Sequence, residues 1–253
     1  QDGEDADKLI SNADAAMYNS KNMGKNQYNL FKPKMNNDIL ERISFENGLF
    51  RAIEKEEFDL VYQPQILLEK NKLIGFEALI RWYNPEKGVL APYKFIPIAE
   101  ETNLILPLGE WIINKVCQEN KKWHDKGYNN LTCAVNISAK QFYQDNIIEI
   151  IEDALKKSNL NPSFLELELT ESVIMDDVDR AVKIFTKLKD MGIKLSIDDF
   201  GTGYSSLSYL KKFPIDTLKI DQSFISNLTK DSINDITIAN LVIDLGHKLG
   251  MQV

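Results

Sequence analysis

Residues 163–169 read SFLELEL and residues 193–198 read IKLSID, and the alternation within these two runs decides the fold. Successive side chains on a strand point to opposite faces, so Leu165, Leu167 and Leu169 share one face while Glu166 and Glu168 share the other. In the second run Leu195 and Ile197 oppose Ser196 and Asp198. The same test extends outward along the chain. In 216–220, Leu218 and Ile220 oppose Lys219; in 131–137, Cys133 and Val135 oppose Asn136; in 73–81, Phe76, Ala78 and Ile80 oppose Glu77, Leu79 and Arg81. Each strand thus has an apolar face to be covered by helices. The opposite faces together collect Glu77, Arg81, Asn136, Glu168, Asp198 and Lys219.

Strands are expected near 60–64, 73–81, 131–137, 163–169, 193–198 and 216–220, with amphipathic helices between the later ones. Val178, Ala181, Val182, Phe185 and Leu188 form one helical stripe; Ile238, Leu241, Val242, Leu245 and Leu249 form another. Repeated strand-helix units predict an α/β fold with a parallel sheet, doubly wound or closed as a barrel. The segment VYQPQILLEKNKLIG around the first strand has no glycine fingerprint for a dinucleotide, which favours a TIM-like (β/α) barrel. Polar side chains recurring near the carboxyl ends of barrel strands mark the active-site face, because barrel interiors are otherwise packed with aliphatic groups.

Glu77, Glu168, Asp198 and Asp199 outnumber Lys219 and Arg81 at that face. Clustered carboxylates repel unless cations neutralise them, so the excess of acid points to a divalent-metal site. The alternative is a set of structural ion pairs plugging the lumen. Oxygen ligands without His or Cys suit Mg²⁺ or Mn²⁺ rather than zinc. Asp198 and Asp199 are adjacent, so both reach one site only where the strand ends, and Phe200, Gly201, Thr202 and Gly203 supply that end. One aspartate then bridges two ions about 3.5–4 Å apart, an arrangement suited to phosphodiester cleavage.

Composition narrows the classes further. The chain has 253 residues, 43% hydrophobic and 27% charged, with a formal net charge of -8. A net negative charge argues against a DNA or RNA polymer as partner. No apolar run approaches the ~20 residues that span a bilayer, so this segment is not expected to insert directly into a membrane, and a cytoplasmic location is expected even if a longer protein is anchored. Cys117 and Cys133 have no metal-type spacing and are read as core residues.

Residues 7–23 carry apolar positions at helical spacing up to Gly24, and an extended piece is expected over 27–31. The run ADKLISNADAAMYNSKNMGKNQYNLF resembles the last helix and strand of a GGDEF diguanylate cyclase domain. Residues 1–31 are therefore read as a C-terminal remnant without cyclase activity, 32–44 as a linker helix and 45–253 as the catalytic domain. In family order, YQPQ, GFEALIRW, FIPIAEE, VNIS, LELELTES and SIDDFGTGYSSLSYLKKFPIDTLKID resemble the EAL cyclic di-GMP phosphodiesterases. That resemblance implies metal-dependent hydrolysis of cyclic di-GMP to 5′-pGpG in bacterial second-messenger signalling. The alternative is a receptor module that binds the dinucleotide without cutting it.

Carried over residue by residue, the resemblance makes Glu77, Asn136, Glu168, Asp198 and Asp199 metal ligands in a two-metal site. Lys219 positions the attacking water, Gln63 and Arg81 hold the substrate, and Glu171 steadies the loop from Phe200 to Leu207. It also allows a homodimer through the EAL domain. The family continues past HKLGMQV with an AEGVE-like segment and further strands, so the barrel is expected to be incomplete at the C-terminus, with the last two strands absent and hydrolysis by this chain alone poor. The glycines of DDFGTGYSSL fit a mobile flap better than a phosphate cradle, since no Lys follows. His124 is expected to be a solvated surface group and His247 to carry no chemistry. Trp82, Tyr83 and Tyr93 are read either as packing and rim groups or as guanine-stacking groups.

Overall fold

The computed structural model describes residues 5–22, 26–201, 210–226 and 233–253. Its chain order is α1 (Ala6–Asn22), α2 (Pro33–Glu54), β1 (Phe58–Leu67), β2 (Lys72–Asn84), β3 (Gly88–Leu90), α3 (Pro92–Glu101), α4 (Ile105–Asp125), β4 (Thr132–Asn136), α5 (Ala139–Phe142), α6 (Ile147–Ser158), β5 (Leu165–Thr170), α7 (Glu171–Asp176), α8 (Val178–Asp190), β6 (Lys194–Phe200), β7 (Thr217–Ile220) and α9 (Ile233–Lys248). One sheet runs β1-β2-β4-β5-β6-β7, with β3 paired to β2. From β2 through β7 the neighbours on this path are parallel, and Gln252 adds a parallel bridge to Thr217. This is a barrel-like α/β sheet that does not close among the described residues.

β1 departs from the expected parallel arrangement. It pairs antiparallel to β2, because residues 68–71 are the whole connection and a parallel crossover needs a dozen or more. Asn71 closes the hairpin in a left-handed conformation, φ 44°. The reversal sets Gln63 opposite Glu77 and Asp59 opposite Arg81. At the N-terminus, α2 is one continuous helix from Pro33 to Glu54, and it buries Leu49 and Ala52. Residues 27–32 form neither helix nor strand.

The core lies between the apolar strand faces and the helices. Leu165, Leu167, Leu169, Leu195, Ile197 and Leu218 are buried, as their parity requires. Fully burying such side chains is worth about 1.5–3 kcal/mol each. The α8 stripe buries Ala181, Phe185 and Leu188. On α9, however, Leu241 is 62% exposed, and Ala239, Val242 and Gly246 face inward instead. Phe185 packs between Phe142, tilted and 5.1 Å away, and Phe213, edge-on and 5.6 Å away. Phe185→Ala is expected to cost about 3–5 kcal/mol, read as a lower urea midpoint at an unchanged slope.

Candidate metal and substrate site

The lumen face is built in two layers. In the lower one, Glu166 lies beside the hydroxyls of Ser196 and Thr217 and near Lys194, whose Nζ donates to Thr132 Oγ1 at 3.0 Å. Burial holds the Glu166 carboxyl above the usual carboxylate range, offset by those hydroxyls and the Lys194 charge. This layer fits the structural-plug alternative, with one acid answered by one lysine and two hydroxyls.

The upper layer lies toward the carboxyl ends of β4 to β7. Lys219 Nζ, from β7, donates to Glu168 Oε2 at 2.6 Å, Asp198 Oδ2 at 2.9 Å and Glu77 Oε2 at 3.4 Å. Asn136 Nδ2 donates to Glu77 Oε1 at 2.8 Å. Five of the six inward residues read from parity therefore meet here: Glu77, Asn136, Glu168, Asp198 and Lys219. Arg81 lies farther along β2, its Nη1 donating to the Ile80 carbonyl at 2.8 Å. Gln63 is exposed on the edge strand, in register with Glu77.

Local structure explains why Asn136 points into this ring. β4 ends at Asn136, and Ser138 opens α5 with a reciprocal cap: Gln141 N–H donates to Ser138 Oγ, and Ser138 N–H donates to Gln141 Oε1. Gln141 is buried against Gly109 of α4, where a Cβ would lie 1.6 Å from Gln141 Nε2. Only glycine leaves room for that anchor.

The two adjacent aspartates are separated by a bulge inside β6, not by the end of the strand. Register slips between Ile197 and Phe200, and Asp199 takes φ 54°, a conformation that costs a non-glycine residue about 1–2 kcal/mol. Asp199 N–H donates to Asp198 Oδ1 at 3.0 Å. Asp198 faces the ring, whereas the Asp199 carboxyl bonds to Asp221, which in turn accepts from Ser223 N–H at 2.8 Å. Partial burial and the Asp198 charge raise the Asp199 carboxyl above its usual range. Asp221 is a site neighbour that the sequence argument did not single out. Its signal was its place two residues beyond Lys219, which gives it the same parity.

Behind the bulge, Glu171 is buried at the start of α7, and its Oε2 accepts the Gly201 N–H at 3.2 Å. Gly201 sits at φ +102°, which favours glycine. Residues 202–207 of the expected flap lie outside the described residues, as does the phosphate-cradle alternative for them.

Glu77, Glu168 and Asp198 each offer an oxygen within 4.8 Å of the others, the spacing of a cation site. Lys219 supplies one positive charge against these three carboxylates. Glu168 is 1% exposed, and its Oε1 is buried with no hydrogen-bond partner among the described residues. Burial lifts the Glu168 carboxyl to about 8, with Lys219 opposing and Glu77 adding to the rise. Lys219 is itself pushed above the usual lysine range: burial acts against its charge, but Glu168 and Asp198 outweigh it. Acid and base are thus displaced in the same direction, toward holding protons, because the cluster carries more negative charge than one ammonium answers. An oxygen-only donor set with an orphaned buried carboxylate oxygen fits a hard divalent cation.

Other sequence-level candidates resolve simply. Trp82 is 1% exposed and sits in the aromatic core against Phe45, Phe58 and Phe95, so it cannot stack on a base; its Nε1 donates to Glu57 Oε2 at 3.0 Å. Tyr83 and Tyr93 are exposed. His124 is not a free solvated group: its Nε2 lies 3.0 Å from the Leu131 carbonyl and its ring meets Phe164 edge-on. His247 is exposed on α9. Cys117 and Cys133 are free and buried, and burial pushes the Cys117 thiol up to about 12, so neither is a thiolate at neutral pH. No helix among the described residues is long and apolar enough to cross a membrane.

Comparisons with known proteins converge on one family. The EAL domain model matches residues 46–253. The chain is 42% identical over 252 residues to the bifunctional diguanylate cyclase/cyclic di-GMP phosphodiesterase MucR of Pseudomonas aeruginosa, covering 100% of this chain and 37% of that protein. It is 37% identical over 251 residues to the cyclic di-GMP phosphodiesterase PdeR of Escherichia coli, covering 99% of this chain and 38% of that protein. The chain therefore spans just over a third of these curated relatives. Among solved structures, the cyclic di-GMP complex of the PaMucR phosphodiesterase superposes with a TM-score of 0.80 at 42% identity, covering 82% of this chain and 84% of that one.

Proposed function

This chain belongs to the EAL domain family, and from that premise we propose that it hydrolyses cyclic di-GMP to 5′-pGpG in a metal-dependent reaction of bacterial signalling. What carries the reading is the orphaned Glu168 Oε1 inside a ring of three carboxylates that a single lysine does not neutralise. Glu77, Asn136, Glu168 and Asp198 would hold Mg²⁺ or Mn²⁺, and Asp199 would join them for a second ion. Such ions, when bound, withdraw charge from the phosphoryl group and lower the pKa of water.

The remaining roles belong to side chains alone. Lys219 donates a hydrogen bond that orients the attacking water in line with the P–O3′ bond to be broken. The new P–O bond leaves a 5′-phosphate at one end of the linear product, and the 3′ oxygen takes up a proton. Arg81 holds the other phosphate through its planar fork, Gln63 contacts the ligand from the edge strand, and Glu171 fixes the backbone after Asp199. Residues 1–31 are assigned to a GGDEF remnant, 32–44 to a linker and 45–253 to the EAL domain, in a cytoplasmic protein that dimerises through that domain.

Incubation of the full-length protein that carries this domain with cyclic di-GMP and Mn²⁺ is expected to release 5′-pGpG and to stop with EDTA. Tight binding without product identifies a receptor instead, and neither binding nor product refutes both readings. Arg81→Ala is expected to raise KM about 30-fold with kcat little changed, as for loss of a hydrogen bond to a charged group. A fall confined to kcat would remove Arg81 from ligand binding.

A further inference from the structure

The short helix α7 is poorly supported by its own sequence. It has six residues, far below the length at which an isolated helix persists, and its N-cap residue Thr170 makes no side-chain capping bond. Yet it carries Glu171, which accepts the Gly201 N–H next to the Asp198–Asp199 bulge. Something outside α7 must hold that helix in register. Ile174 anchors it to the core, fully buried. The second anchor comes from another strand-helix unit.

Tyr143 follows α5 directly. Its hydroxyl donates to the Val173 carbonyl at 3.0 Å and lies 3.4 Å from the Asp177 carbonyl. Val173 lies in the last turn of α7, where carbonyls have no intrahelical partner. Asp177 ends α7 and caps α8, its Oδ1 accepting the Arg180 N–H at 3.0 Å. Arg180 reaches back, donating to the Tyr143 carbonyl and placing its guanidinium over the Tyr143 ring, 5.3 Å from the centroid. Tyr143 and Arg180 thus lock the segment after β4 to the α7–α8 corner from both sides.

We propose that Tyr143 is a positioning residue for the metal site: its hydroxyl fixes α7, α7 fixes Glu171, and Glu171 fixes the backbone at Gly201 and hence the two aspartates. The chain of contacts joins the unit carrying Asn136 to the units carrying Glu168 and Asp198, so these ligands are held in mutual register by more than the sheet. This inference rests on the hydrolytic reading for its consequence in turnover, but its structural content does not depend on that reading.

Tyr143→Phe keeps the ring and removes only the donor. With ¹⁵N-glycine labelling of the protein, the Gly201 amide is expected to exchange with solvent about fivefold faster in the variant, the effect of one ordinary hydrogen bond. The Gly75 and Gly109 amides, in β2 and α4, are expected to keep their rates. An unchanged Gly201 rate, or equal acceleration at all three glycines, overturns the proposal. In turnover, Tyr143→Phe is expected to lower kcat about fivefold at constant KM in the wild-type background, and to add nothing in a Glu171→Ala background, which lacks the acceptor for the Gly201 N–H. Independent, multiplying losses would show that Tyr143 does not act through Glu171. If the wild-type protein hydrolyses no cyclic di-GMP, the proposed function fails, while the Gly201 exchange rates still decide the role of Tyr143.

Discussion

Lys219→Ala is expected to lower cyclic di-GMP turnover by about 10³-fold, the loss found when a group acting at developing charge is removed, with substrate affinity changed only a few-fold. The expectation follows from where Nζ sits, touching Glu168, Asp198 and Glu77 at once. That position lets one ammonium orient a water between ligands without itself anchoring the dinucleotide. The same variant has a second effect in metal-free buffer. Removing the cation that, among the described residues, contacts three partly or wholly buried carboxylates is expected to cost about 3–5 kcal/mol, as for other broken buried pairs. Divalent ions should return much of it. Urea melts with EDTA or Mn²⁺ measure the difference, and turnover at the wild-type rate would remove Lys219 from the reaction.

Glu168→Gln is expected to abolish turnover to a similar extent, by about 10³-fold. It should also change how the metal-free protein responds to pH, in the opposite sense to ordinary acid denaturation. The Glu168 carboxyl is raised to about 8 by burial, so the folded state binds this proton more tightly than the unfolded state does. Its contribution is therefore most favourable below the unfolded value, falls as pH rises through the window up to about 8, and is constant beyond. Lys219, raised above the usual lysine range, contributes stability that is lost only in alkali, outside that window. Glutamine removes the Glu168 part of the slope and leaves the parts due to Glu166 and Asp199, both raised in the same direction. Thermal melts in EDTA between pH 5 and 8 should show wild type losing more stability than the variant. A wild-type curve that rises over this window would contradict the assignment of Glu168.

Strand parity was legible because it is local. Leu165, Leu167 and Leu169 against Glu166 and Glu168 required only the two-residue period, and the structure buries the leucines while turning both acids into the lumen. The meeting of Glu77, Asn136, Glu168, Asp198 and Lys219 followed from placing such strands side by side. What depended on connection length or on distant partners was harder. The antiparallel β1 was implied by the short 68–71 connection, but the strand-helix rhythm of the later chain overrode that signal. The bulge at Asp199 has no signature in SIDDF, since its φ of 54° goes with contacts to Asp198 and Asp221, the second of them distant in sequence. Leu241 kept the period of its helix yet lost its cover, because burial depends on what lies opposite.

Calorimetric titration of Mn²⁺ into the metal-free protein reads the charge excess at the strand ends directly, without requiring any substrate. Saturable uptake accompanied by proton release at pH 7, and absent from Glu168→Gln, is the predicted result, since the cation displaces the proton that Glu168 holds. Uptake of the same strength in wild type and variant, or none in either, would contradict it.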